Sequence, residues 1–122
     1  MPAVELKGPN LLSKFSWVFV LSCMAMLAAC GTPTEKHMKK ADRLREMGRF
    51  PEAVKEFEAA IETDPDNISA HYKLASLYRE SLNDKDKAIE HLQRVVELDP
   101  QYAKAWEKMA VLYDKKHDQT AV

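Results

Sequence analysis

A chain of 122 residues allows one small domain and excludes two substantial cores. Its 18 basic and 19 acidic residues nearly cancel, so the charge balance does not point to a nucleic-acid partner. His37, His71, His91 and His117 have no short ligand spacing with one another or with a cysteine, and neither a metal nor a cofactor is expected.

Lys14 introduces an apolar run from Phe15 to Cys30, followed by Gly31, Thr32 and Pro33. A basic residue, an apolar stretch and small residues before a cleavage point have the form of a secretory signal. Residues 15–34 carry no charge, but the strongly apolar part ends near Ala29 and spans about 15 residues, against the roughly 20 that a membrane-crossing helix needs. An uncleaved anchor crossing obliquely and a buried helix of a larger assembly are the alternative readings. Lys7 and Lys14, against Glu5, give the preceding segment the positive sign of a cytoplasmic start.

Leu27, Ala28, Ala29 and Cys30 resemble the lipobox of bacterial lipoproteins: an aliphatic residue, two small residues, then cysteine. The resemblance implies a diacylglycerol thioether on Cys30, cleavage before it, and a further acyl chain such as palmitate on the new amine. Residues 1–29 are then the signal peptide, and residues 30–33 the lipidated cysteine with a very short tether. Each buried methylene contributes about 0.8 kcal/mol, so two or three chains hold a protein durably where one is marginal. Loss of Lys7, Lys14 and Glu5 leaves 16 basic and 18 acidic residues. Cys23 departs with the signal and Cys30 is consumed by lipid, so the remaining domain has no thiol and suits an oxidising compartment. Gly31 also resembles the residue found there in outer-membrane lipoproteins of diderm bacteria. The expected location is therefore a bacterial cell envelope, with the domain on the periplasmic or extracellular side.

From Thr32 the pattern becomes helical. Thr32, Pro33, Thr34 and Glu35 read as a capping box with proline at the first helical position. Met38, Ala41 and Leu44 mark the apolar side of a first helix, and Gly48 marks a turn. Pro51 opens a second helix, with Val54, Phe57, Ala60 and Ile61 on one side. Asp64, Pro65, Asp66 and Asn67 end it, because proline cannot continue a helix and Asp or Asn caps the next one. The arrangement then returns. Glu62, Thr63, Asp64 and Pro65 are echoed 35 residues later by Glu97, Leu98, Asp99 and Pro100. Ala53, Phe57 and Ala60 are echoed by Ala88, Leu92 and Val95, and Leu74, Ala75 and Tyr78 by Met109, Ala110 and Tyr113.

This register resembles the tetratricopeptide repeat family, whose unit is about 34 residues. The extra residue falls in Ser81, Leu82, Asn83 and Asp84, lengthening the second hairpin's turn. The first unit has His37 at the family's tryptophan position, Lys40 where leucine is usual, Ala41 at the small position, Leu44 at the tyrosine position and Gly48 in the turn. Ala53, Phe57, Ala60 and Pro65 complete it. The second unit supplies His71, Leu74, Ala75, Tyr78, Ala88, Leu92, Val95 and Pro100, without the turn glycine. The third stops after one helix containing Trp106, Met109, Ala110 and Tyr113. The resemblance implies an all-α fold over residues 34–116: a short superhelix of two helix-turn-helix repeats plus a C-terminal capping helix near 103–116, preceded by the signal helix. Residues 117–122 are expected to be a flexible tail.

Small Ala41, Ala75 and Ala110 are expected to permit close helix approach. Trp106 and Tyr113 are expected to face the preceding hairpin, leaving Val111 and Leu112 less covered. Proteins of this family receive a peptide or helix along a concave face lined by the first helix of each repeat. That implies a partner site at Met38, Asp42, Arg45, Tyr72, Lys73, Ser76, Arg79, Lys104, Glu107, Lys108 and Val111. Tyr72 is the aromatic anchor candidate, with packing beside Ala75 as its other reading. Lys104 and Lys108 match the third-repeat basic pair with which some members grip a terminal carboxylate. Met38, Asp42 and Lys73 depart from that pattern, and Asp42 would repel a carboxylate.

The sequence therefore implies a lipid-anchored adaptor that binds proteins at an envelope membrane, with assistance in assembling a membrane or pilus complex resting on resemblance alone. A permanent accessory subunit of a membrane complex is the alternative, and the uncovered final helix also offers an edge to a second copy. No enzyme is expected, because Glu58, Glu62, Asp64 and Asp66 read as a solvated helical face and loop without a positioned nucleophile.

Overall fold

In the computed structural model, residues 31–120 are described, with side chains through Asp118. Cys30 and the expected signal segment lie outside these residues. Five helices follow in order: α1 (Pro33–Glu46), α2 (Phe50–Thr63), α3 (Ile68–Glu80), α4 (Lys85–Leu98) and α5 (Ala103–Thr120). The fold is all-α, as two antiparallel hairpins, α1–α2 and α3–α4, with α5 laid against α4. Among the described residues no helix is long and apolar enough to cross a membrane.

Local chemistry sets the helix ends. Proline occupies the first position of α1 and the second of α2, where a missing backbone donor costs no intrahelical bond. Asn67 accepts from the Ala70 amide at 2.9 Å, and Asp84 accepts from the Lys87 amide at 3.1 Å, so each caps its helix. The turn after each hairpin is built twice on the same plan. The Asp64 amide donates to Ala60 at 3.0 Å, and the Asp99 amide donates to Val95 at 2.8 Å. The Asn67 and Tyr102 amides then donate back to the Asp64 and Asp99 carbonyls at 3.2 and 3.1 Å.

Inside the hairpins, Gly48 turns the chain at φ 74° and Asn83 does so at φ 52°. Each stands two residues before the next helix. Asparagine therefore takes the role of the turn glycine that the second repeat lacks, because it tolerates the left-handed region better than most side chains. The second turn, 81–84, is one residue longer than the first, 47–49, which is where the extra residue is expected.

The core alternates small and large side chains. Ala41, Ala53, Phe57, Ala60, Leu74, Ala75, Ala88, Leu92 and Val95 are buried, and all but Ala60 join Leu44, Leu77 and Tyr78 in one continuous cluster. Helix α5 enters that cluster through Ala105, Met109 and Leu112, a stripe at i, i+4 and i+7. Three expectations for α5 are overturned, those for Trp106 with Tyr113, for Leu112 and for Ala110, while Val111 is exposed as expected. Leu112 is only 2% exposed, whereas Trp106 is 50% exposed, Tyr113 is 39% exposed and Ala110 faces solvent. In the complete repeats the matching residues His71, Ala75 and Tyr78 are buried between α3 and its hairpin partner. Helix α5 has no such partner among the described residues, so it buries the side that meets the previous repeat and exposes the hairpin side. The helix also runs to Thr120 instead of yielding to a tail at 117, because His117, Asp118, Gln119 and Thr120 contain neither proline nor glycine.

Gly48→Ala should destabilise the domain by about 1 kcal/mol in chemical denaturation. An added Cβ meets nothing within 4 Å, so the loss is backbone strain alone. Asn83→Gly should be neutral or stabilising. On α5, Leu112→Ala should cost about 2–5 kcal/mol, whereas Val111→Ala, one residue away, should stay within about 0.5 kcal/mol.

Candidate functional site

The first helix of each repeat contributes to one face, and the expected partner residues divide there into three groups. Tyr72 and Arg79 of α3 join Lys104, Glu107, Lys108 and Val111 of α5 around a hollow of about 430 Å³. Asp42, Arg45 and Lys73 form an ion cluster between α1 and α3. Lys73 Nζ donates to Asp42 Oδ2 at 2.6 Å, while Arg45 comes within 3.7 Å of Asp42 Oδ1 without a hydrogen bond. Met38 and Ser76 form the third group: Met38 packs against the core, and Ser76 is buried with its hydroxyl accepting from Lys108 Nζ at 3.0 Å.

Spacing explains this division. Lys104, Lys108 and Val111 stand at i, i+4 and i+7, so they share one side of α5, about a quarter-turn from the buried stripe. The hollow is positive on balance, since Arg79, Lys104 and Lys108 face Glu107. Glu80 offsets part of that charge by pairing with Arg79 and lying 3.6 Å from Lys108. The Arg79 hydrogen bond is the main cause holding the Glu80 carboxyl below its ordinary range, with Lys108 adding to it. The side chains of Lys104, Glu107 and Val111 make no hydrogen bond or ion pair among the described residues and remain open to solvent.

Tyr72 combines both of its expected readings. Its ring lies 5.2 Å from that of Tyr102, and Lys108 Nζ sits 4.9 Å from its centroid. It is thus half-buried as a strut between α3 and α5 while still lining the hollow. Tyr102 and Glu80 were not among the expected site residues. Tyr102 lies in a turn that reads as a helix stop, so a first-helix pattern has no place for it, whereas Glu80 stands at i+4 from Ser76 and i+7 from Lys73 and the helical period could have found it. A second hollow of about 290 Å³ adjoins the first through Arg79 and Val111, and is lined also by Glu80, Asn83, Lys85, Leu112 and Lys115. Val111 therefore stands between two depressions, 42% exposed. Among the described residues no three potential ligands gather to hold a metal ion.

The tetratricopeptide repeat profile matches residues 38–112. DnaJ homolog subfamily C member 3 from Bos taurus is 34% identical over 71 residues, covering 52% of this chain and 14% of that protein. The Hsp70-Hsp90 organising protein of Plasmodium falciparum (isolate 3D7) is 38% identical over 56 residues, 46% of this chain and 10% of that protein. The chain thus corresponds to a small part of these relatives. Among solved structures, the crystal structure of MamA superposes with a TM-score of 0.66 at 23% identity, over 69% of this chain and 48% of MamA, and shares the fold. With a profile match across most of the chain and two hairpins in the matching register, the protein belongs to the tetratricopeptide repeat family, a non-catalytic module for protein–protein interaction.

Proposed function

We propose that the chain is a membrane-tethered adaptor that receives a segment of another protein across the α3–α5 face. The observation that carries this reading is the hollow itself, where Lys104, Glu107 and Val111 remain unpaired beside an aromatic ring held in place by Lys108 and Tyr102. A rigid ring beside exposed apolar and basic groups offers contact area at low entropic cost. The segment that fits carries an apolar side chain for Tyr72 and Val111 and an acidic group for Lys104 and Lys108. Asp42 and Lys73 neutralise each other at the α1 side, so the α1 end contributes less to charge recognition than α5 does.

The tether in this reading is lipid on Cys30, supported by the match of Leu27, Ala28, Ala29 and Cys30 to a lipobox. It places the domain at a bacterial envelope membrane, the outer one in a diderm cell, where recruiting partners would assist assembly of a membrane or pilus complex. A second reading draws on the exposed Trp106, Ala110 and Tyr113 of α5. That face would hold the chain permanently within a larger membrane complex or against a second copy.

Two measurements test these readings. Intact mass of the membrane fraction should show a product beginning at Cys30 with added acyl chains. Cys30→Ser should abolish the acylation, and an unacylated full-length wild type would defeat the tether. In vivo crosslinking should lose its partner with Val111→Asp combined with Lys104→Glu, at unchanged helical signal, and should retain it with Ala110→Glu. The opposite pattern would shift the interface to the exposed side of α5.

A further inference from the structure

The two complete hairpins carry matching histidines with different partners. In the first, His37 Nδ1 of α1 lies 2.8 Å from Glu56 Oε2 of α2, while Lys40 Nζ lies 2.6 Å from Oε1 of the same carboxylate. In the second, His71 of α3 occupies the position of His37, and His91 of α4 occupies that of Glu56. The two imidazoles meet Nδ1 to Nδ1 at 3.1 Å. A proton arriving at the first pair finds a carboxylate, whereas one arriving at the second finds another imidazole.

Hydrogen-bond chemistry fixes the neutral arrangement. His71 Nε2 is 2.9 Å from the Pro65 carbonyl oxygen, which can only accept, so Nε2 carries the hydrogen. His71 Nδ1 is then the acceptor and His91 Nδ1 the donor. An added proton must enter at His91 Nε2, making His91 a cation at the interface of α3 and α4. A second proton would set N–H against N–H and break the link.

We propose that the His71–His91 pair is an acid-sensitive latch on the second hairpin, so that mild acidification loosens α3–α4 while α1–α2 stays closed. The surroundings of the pair oppose an imidazolium more than they favour it. Burial is the main cause keeping His91 below the usual imidazole range, followed by the His71 ring, and Lys87 acts in the same direction against Glu90. From α3, the Tyr78 ring stacks on His91 at 5.8 Å with 6° between planes. From α2, Glu58 reaches only the Tyr78 hydroxyl, at 3.4 Å. From the 64–67 turn, Asp66 is taken by Arg94 at 2.9 Å, and α5 touches α4 through the Tyr113 hydroxyl and Gln93 at 3.1 Å.

The sign follows from proton linkage. A histidine held neutral by the fold contributes stability that is complete above its unfolded value of about 6.5 and is lost as pH falls from there towards its lower folded value. In the first hairpin, Lys40 and then His37 lower the Glu56 carboxyl, so that contribution is complete above the ordinary value of 4.5 and lost only below it. Between those limits the second hairpin weakens and the first does not. Because α4 carries α5, opening the latch also releases the α5 side of the hollow. The latch stands independently of the lipid tether and of the partner's identity.

Amide hydrogen exchange on the full chain at pH 7.5 and 5.5, corrected for intrinsic rates, tests the latch. Protection in α3 and α4 should fall at least threefold more than in α1 and α2, and His91→Gln should abolish that difference. An equal response in both hairpins, or a difference that persists in His91→Gln, would overturn the proposal. Imidazole titration of the wild type by NMR gives an arm that needs no variant: His91 should titrate below the ordinary histidine range, and titration at or above it would refute the latch.

Discussion

A helical hairpin has more apolar surface than it can cover by itself, and this shortage organises the whole domain. In the first hairpin Phe57 is fully buried with alanines on both sides, and in the second Leu92 and Val95 take the same layer. Each hairpin leaves a surface that only the next helix can close. Helix α5 closes the last one with Ala105, Met109 and Leu112, while its own hairpin side stays open. The open residues Trp106, Ala110 and Tyr113 therefore reflect the lack of a hairpin partner for α5 among the described residues, and not a failure of the core.

Polar residues inside the hairpins vary where the apolar frame does not. The frame fixes which positions face each other, and any pair that can satisfy its hydrogen bonds there is tolerated. That freedom permits His37 with Glu56 in one repeat and His71 with His91 in the next. A similar substitution occurs in the backbone, where Asn83 replaces glycine at a left-handed turn. Helix count and hairpin register survive both changes.

Much of this was legible in the sequence. The 35-residue echo, the prolines at the starts of α1 and α2, and the Asp–Pro stops gave the helices and their pairing. Period alone could not orient α5. Trp106 and Tyr113 match His71 and Tyr78 in register, but those two are buried by their hairpin partner, and α5 has none among the described residues. The first-helix positions expected to take a partner do share one side of the stack, but side-chain reach divides them. Asp42 and Lys73 are long enough to neutralise each other across α1 and α3, Ser76 is short enough to be covered, and Lys104 and Val111 remain available. The histidine pair escaped because metal-ligand spacing in sequence says nothing about contacts between antiparallel helices.

Antiparallel hairpins also give the stack two chemically different ends. The Thr34 and Thr63 hydroxyls meet at 2.8 Å, so the start of α1 lies beside the end of α2, and Arg94 of α4 reaches Asp66 in the turn at that same end. The opposite end is marked by Lys116 of α5 meeting Asp86 of α4 at 2.6 Å. Asp64, Asp66 and Asp99 thus gather at the end where the chain enters the domain. Carboxylates at that end repel an approaching anionic partner within a Debye length, roughly 8 Å at physiological salt, and leave the side faces of the stack as its easier approach.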